Sequence, residues 1–182
     1  ELWRFPRRGT VGPVSADLAL HDGVLYVTTS DATGNVILLD TATGEEICRR
    51  ETDASIEVNP IISDEVAYVS NTGNQVYMFP AGVCNGSVAG RPPSLLRERP
   101  VLSAPAIRDN VMYIGEGTFL YAIDLATNTG IWEEVVQAGE QFGAVTVAGD
   151  VVYAGSDDGN LYAVNADTGE TLWTWQTGTP VR

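Results

Sequence analysis

The stretch VVYAGSDDGNLYAVNADTGETLW, from Val151 to Trp173, recurs in weaker copies about every 40 to 45 residues. This periodicity constrains the fold more than any other feature of the chain. The copies register on a tyrosine, in Val24-Leu25-Tyr26-Val27, Val66-Ala67-Tyr68-Val69, Val111-Met112-Tyr113-Ile114 and Val151-Val152-Tyr153-Ala154, with tyrosine spacings of 42, 45 and 40. Four structural units follow. After each tyrosine comes a polar turn (30–35, 71–74, 116–118, 156–160) and a second short apolar run: Val36 to Leu39, Val76 to Phe79, Phe119 to Ala122, Leu161 to Val164. Two short strands joined by a Gly/Asn/Asp turn make a hairpin.

The rest of each unit reads the same way. Upstream of the tyrosines lie Asp17 to Leu20, Pro60 to Ile62, Pro105 to Ile107 and Val145 to Val147, close enough to join through tight turns such as His21-Asp22-Gly23 or Gly149-Asp150. Downstream, Asp40-Thr41-Ala42-Thr43-Gly44 and its counterparts 124–128 and 165–169 are turns in which an Asx or Thr side chain bonds nearby backbone and Gly or Asn takes a left-handed conformation. A fourth strand then opens at Cys48, Trp132 or Trp173. Four short antiparallel strands, repeated, describe propeller blades, because a lone four-stranded sheet has two apolar faces that only neighbouring sheets can cover. No window sustains apolar residues at 3.6 spacing, so helices are not expected.

Ala163-x-Asn165-x-x-Thr168-Gly169-x-x-x-Trp173 resembles the tryptophan-docking motif Ala-x-Asp-x-x-Thr-Gly-x-x-x-Trp of quinoprotein (PQQ-like) propeller repeats. Blade three keeps Ala122, Asp124, Thr127 and Trp132 and puts Asn128 at the glycine. Blade one offers Leu38, Asp40, Thr43 and Gly44, then Cys48 in the tryptophan slot. Blade two departs most, with an insertion from Ala81 to Pro93 before Leu95-Leu96-Arg97. The resemblance implies a structural role for Trp3, Trp132 and Trp173: each tryptophan packs across a blade interface onto a small alanine, such as Ala122 or Ala163. Trp132 and Trp173 are accordingly expected to be buried.

Glu1-Leu2-Trp3-Arg4-Phe5 aligns with Thr171-Leu172-Trp173-Thr174-Trp175. The expected architecture is therefore an all-β propeller of four-stranded antiparallel blades, four blades plus one extra N-terminal strand. Residues 1–6 form the outer strand of a preceding blade, followed by blades over 10–52, 53–100, 101–137 and 138–182. Beginning inside a repeat, the chain reads as part of a larger propeller, since members of the resembled family generally close with seven or eight blades.

Composition bears on setting. The chain has 24 acidic and 10 basic residues, a net charge of -14, and all ten basic residues are arginines. An acidic surface without lysine resembles that of proteins from extreme halophiles, whose carboxylates are tolerated because salt screens their repulsion. Such a field argues against nucleic acid as a partner, and no stretch is apolar enough for a membrane span. Cys48 lies in the outer strand of blade one and Cys84 in the blade-two insertion; a bridge and two free thiols both fit. Asn85-Gly86-Ser87 is the chain's one Asn-x-Ser/Thr sequon and makes Asn85 a candidate glycosylation site. The cysteines and the sequon, in a fold that the resembled family mostly places outside the cytoplasm, point to an exported protein, extracellular or at the cell surface.

The search for chemistry returns little. His21, the only histidine, sits in a tight turn and reads as a turn residue ahead of a base or ligand. The Asp-rich turns Asp31 to Asn35 and Asp157 to Asn160 lack the ligand alternation and closing Glu of calcium loops. Arg91-Pro92-Pro93 reads as a stiff surface loop. No catalytic, cofactor-binding or metal residue is assigned, and no cofactor is expected. True quinoprotein dehydrogenases of the resembled family hold PQQ and calcium on an eight-bladed propeller, many with an adjacent Cys-Cys pair, and no such pair occurs here. The expected function is a non-catalytic protein-binding scaffold, contacting other proteins or neighbouring copies through blade faces, the rim or the strand Leu2 to Phe5. The alternatives are a structural subunit of a cell-surface layer or filament joined by strand addition, and a fragment of a PQQ-dependent dehydrogenase.

Overall fold

The computed structural model describes residues 2–6, 11–73, 75–85, 104–133 and 136–181. The expected fourth strand of blade two at Leu95-Leu96-Arg97, the segment Arg91-Pro92-Pro93 and the sequon's Gly86 and Ser87 lie outside them. The chain forms two compact units, Glu1–Leu95 and Leu96–Arg182. Every element among the described residues is a strand.

In the first unit, β1 (Ala19–His21), β2 (Val24–Thr28), β3 (Asn35–Asp40) and β4 (Glu46–Glu51) form one sheet in chain order. A second holds β5 (Ile61–Ser63), β6 (Val66–Ser70) and β7 (Val76–Pro80). In the second unit, β8 (Ala106–Arg108), β9 (Val111–Glu116) and β10 (Phe119–Asp124) are followed by β11 (Thr129–Gly130) and β12 (Val136–Gln137), both paired with β10. The outer strand of this sheet is thus split into two pieces on either side of Trp132. The last sheet runs β13 (Phe142–Ala148), β14 (Val151–Ser156), β15 (Asn160–Asn165) and β16 (Thr171–Gln176). All pairings are antiparallel.

Turn chemistry explains the register. The first hairpins close on Asp22-Gly23 (φ 44 and 76), Asp64-Glu65 (48 and 59) and Asp109-Asn110 (50 and 64), with both central residues left-handed as a two-residue turn of matching twist requires. Between third and fourth strands, the Asp40 carboxylate accepts from the N–H groups of Ala42 and Thr43 at 3.0 and 2.7 Å. Asp124 does the same for Ala126 and Thr127, and Asn165 for Asp167 and Thr168. The fourth residue after the Asx then turns left-handed, at Gly44 (φ 69), Asn128 (61) and Gly169 (78). The asparagine substitutes for glycine there because its short polar side chain tolerates this region.

The registering tyrosines occupy one position: Tyr26 pairs with Leu38, Tyr68 with Met78, Tyr113 with Ala122 and Tyr153 with Ala163. Tyr26, Tyr68 and Tyr113 are buried, the first and last of them between two sheets of one unit, whereas Tyr153 is only half-buried. One core packs Tyr26, Leu38, Ile56, Ala67 and Phe79 in the first unit; the other packs Tyr113, Leu120, Trp132, Phe142 and Val164 in the second. The segment 2–6, expected as an outer strand, carries no strand, yet it delivers Trp3 to the first sheet, as described next.

Candidate functional site

The tryptophan slots are a side-chain arrangement that recurs from one unit to the other. Trp132, 8% exposed, lies between β11 and β12 at the outer edge of its sheet beside Tyr113, with ring centroids 5.9 Å apart. Its indole N–H donates to the carbonyl of Ala166 in the next sheet at 2.9 Å. Its ring lies so close over Gly169 that a Cβ there would sit 2.7 Å from the indole Cγ. Trp3 repeats this seat on the first sheet: its indole N–H donates to the Thr41 carbonyl at 2.8 Å, and a Cβ on Gly44 would lie 2.4 Å from the ring. Thr41 and Ala166 each follow the Asx of the turn, and Gly44 and Gly169 are its left-handed residues. The seat is therefore a carbonyl plus a bare α-carbon.

Two expectations change here. The packing partner across the interface is the turn glycine, not the motif's alanine. Ala122 belongs to the same cluster as Trp132 but sits in its own sheet, and Ala163 pairs in register with Trp173 of its own β16. A glycine with positive φ is the one residue that lets an indole lie directly on backbone. Trp173, expected buried, is 46% exposed. It stacks beside Tyr153 with the same 5.9 Å centroid separation as Trp132 beside Tyr113, so its own half of the slot is formed. No turn covers it, and among the described residues no carbonyl meets its indole N–H. Trp175, two residues along and on the same face, is 64% exposed, and Leu172 is exposed on the opposite face. The strand β16 pairs with β15 alone.

The cysteines form a disulfide, Cys48–Cys84, with Cα atoms 5.9 Å apart. Asn85, beside it, is exposed.

A second repeated contact was not legible as a site in the sequence. His21 ends β1, and its Nε2 lies 3.3 Å from Glu65 in the first hairpin turn of the next sheet. Arg108, at the matching end of β8, reaches the Gly149 carbonyl and the carboxylates of Asp150 (3.3 Å) and Asp167 (3.2 Å). Glu65 and Asp150 both immediately precede the second strand, so the two pairs are equivalent; aligning first-strand ends across repeats would have found them. His21, Asp22 and Glu65 also bring potential ligand atoms within 4.8 Å of one another. In the equivalent contact the residue is an arginine, which cannot ligate a metal, so what the two share is a polar contact across the rim between sheets.

Ionisation follows local hydrogen bonding. The Asp53 carboxyl is held below the usual carboxylate range, first by the Tyr77 hydroxyl donating at 2.8 Å and also by the Asn71 amide at 2.8 Å. Asp40 is held low chiefly by the Thr43 N–H and then its hydroxyl. Burial pushes the Tyr26 and Tyr113 phenols up. These groups are dispersed along turns and interfaces and do not converge on one cleft. No helix among the described residues is long and apolar enough to cross a membrane.

Comparison with known proteins agrees with this repeat geometry. A family model described as "Outer membrane protein assembly factor BamB" matches residues 1–82 and 86–182. A quinoprotein ethanol dehydrogenase of Pseudomonas putida is 36% identical over 70 residues, covering 38% of this chain and 11% of that protein. The outer membrane protein assembly factor BamB of Shewanella oneidensis is 35% identical over 75 residues, covering 41% of this chain and 19% of that one. The matched region is thus less than a fifth of these relatives' length. Among solved structures, the computationally designed Ika8 protein superposes with a TM-score of 0.72 at 15% identity, covering 92% of this chain and 50% of that one. The designed Ika4 protein gives 0.70 at 16%, covering 98% of both. With sheets, turns and docking tryptophans recurring in register and the family model spanning almost the whole sequence, the chain belongs to the PQQ-like β-propeller family that includes the outer membrane assembly factor BamB.

Proposed function

We propose that this chain is a non-catalytic protein-binding scaffold that works outside the cytoplasm. The observation that supports the reading is the pair of exposed aromatics on β16: Trp173 lies beside Tyr153 as Trp132 lies beside Tyr113, yet it is 46% exposed, and Trp175, two residues along, is 64% exposed. Aromatic residues of this kind, apolar in body with one donor, are the usual anchors of protein interfaces. The two filled slots define what would cover Trp173, namely a sheet turn that offers a carbonyl and a left-handed glycine. Export is supported by the disulfide, which persists in oxidising compartments, and by the printed name of the Shewanella relative as an outer membrane assembly factor. The net charge of -14 supports a saline setting.

A structural subunit joined by strand addition is the second reading, favoured by β16 having one side of its backbone unpaired within its sheet. A dehydrogenase fragment is the third, suggested by the quinoprotein relatives; the titratable groups here are explained by turns and rim pairs.

The test places a photo-crosslinking amino acid at Trp175 in cells of the source organism, with the exposed Glu57 as control. Discrete protein adducts at 175 that are absent at 57 support the scaffold; adducts between copies of the chain support the subunit. No adduct at 175, together with PQQ-dependent and calcium-dependent alcohol oxidation by the purified chain, overturns both.

A further inference from the structure

We propose that the Cys48–Cys84 disulfide is a covalent replacement for the tryptophan dock, and that it makes the junction between the two sheets of the first unit openable by a dithiol. Cys48 pairs in register with Leu38 as Trp173 does with Ala163, which places it in the tryptophan slot. Cys84 is the fourth residue after Pro80, as Gly44 is after Asp40 and Gly169 after Asn165. The three turns share one register, since Val66 pairs with Pro80, Val24 with Asp40 and Val151 with Asn165. The bridge therefore joins the same two positions that an indole and a glycine join elsewhere in this chain.

The surroundings fit that substitution. In this turn Pro80 replaces the capping Asx, Gly82 takes the left-handed conformation (φ 77), and the Val83 N–H donates to Pro80. The fourth residue no longer needs to be glycine, and with a Cβ it no longer seats an indole. The volume lost with the indole is refilled on the same cluster: buried Leu38 stands where the second unit has Ala122, and buried Phe79 where it has Val164. Cys84 is 3% exposed within that cluster, and Cys48 packs against it. A noncovalent dock resists reductants and this one does not. A dithiol's thiolate attacks one bridge sulfur, and its second thiol closes on the mixed disulfide. The two electrons and two protons end on Cys48 and Cys84 as free thiols, and the dithiol ends as a cyclic disulfide.

The experiment is hydrogen exchange of the full chain followed by mass spectrometry, with and without dithiothreitol, alkylation reporting both thiols. The bridge spans 36 residues, so releasing it should raise the opening equilibrium of β4 and β7 by roughly several-hundredfold on chain-entropy grounds. The β9, β10, β14 and β15 peptides should be unchanged. The variant Cys48→Ala/Cys84→Ala should show the same loss without reductant and no further response to it. Undiminished protection of β4 and β7 in that variant, or an equal loss in both units, would overturn the proposal. This outcome is independent of what the chain binds.

Discussion

Replacing Trp132 with alanine tests whether the indole-on-glycine dock holds the second unit's sheets together. The side chain is 8% exposed, stacks on Tyr113 and donates to the Ala166 carbonyl. Removing a buried tryptophan of this size costs about 3–5 kcal/mol, and within that the orphaned carbonyl accounts for roughly 1 kcal/mol. Trp132→Phe keeps most of the ring and loses the donor, so it should cost about 1–2 kcal/mol. Trp173 fills the same slot in its own sheet but is 46% exposed; about half its apolar transfer is therefore missing, and Trp173→Ala should cost only about 1–2 kcal/mol. Urea unfolding followed by far-ultraviolet circular dichroism measures all three, with hydrogen exchange assigning each loss to its unit. Equal costs at Trp132 and Trp173, or a Trp132→Phe as damaging as the alanine, would refute the reasoning.

Glycine at the seat gives a second handle. Gly169→Ala adds a Cβ 2.7 Å from the Trp132 ring at φ +78, whereas Gly149→Ala at φ +55 meets nothing within 4 Å. Backbone strain alone costs about 1–2 kcal/mol, so Gly149→Ala should stay near that while Gly169→Ala exceeds it by a further ~1 kcal/mol or more in the same unfolding assay. Acid should act through the hydrogen-bonded carboxyls. Since Asp53 titrates below its unfolded value, its contribution is present above an unfolded pKa of about 3.9 and is lost as pH falls through the folded value. Asp53→Asn should therefore flatten the stability decline below about pH 4, and an unchanged slope would remove Asp53 from that account. Salt should raise the melting temperature from about 0.1 M towards about 3 M, as screening relieves a net charge of -14; a flat response would remove the saline reading.

The strand pattern was legible because each local signal agreed with its repeats. The tyrosines, the Asx turns and the left-handed Gly or Asn all recur at fixed offsets, and Asn128 takes positive φ as its place predicts. Burial of the tryptophans was not legible from their own repeats, because whether an indole is covered depends on the following sheet: Trp132 finds Gly169, and Trp173 meets Tyr153 of its own sheet but no turn glycine among the described residues. The family resemblance places the tryptophan on an alanine, whereas the residue under the ring is the turn glycine, Gly44 or Gly169, which the motif also contains. The His21–Glu65 and Arg108–Asp150 pairs were missed because their partners lie 44 and 42 residues apart and differ in type between repeats. The split of the third sheet's outer strand into β11 and β12 left no mark in the residue pattern.

The most direct measurement is exchange of the indole N–H protons in the nitrogen-15-labelled full chain, where the four tryptophans give four resolvable signals. The account predicts slow exchange at Trp132, slowed exchange at Trp3 through its bond to Thr41, and exchange near the free rate at Trp173 and Trp175, with Trp173 becoming protected when a turn that offers a carbonyl and a left-handed glycine covers it. Protection of Trp173 equal to that of Trp132 in the isolated chain would contradict an open docking slot and, with it, the proposed scaffold.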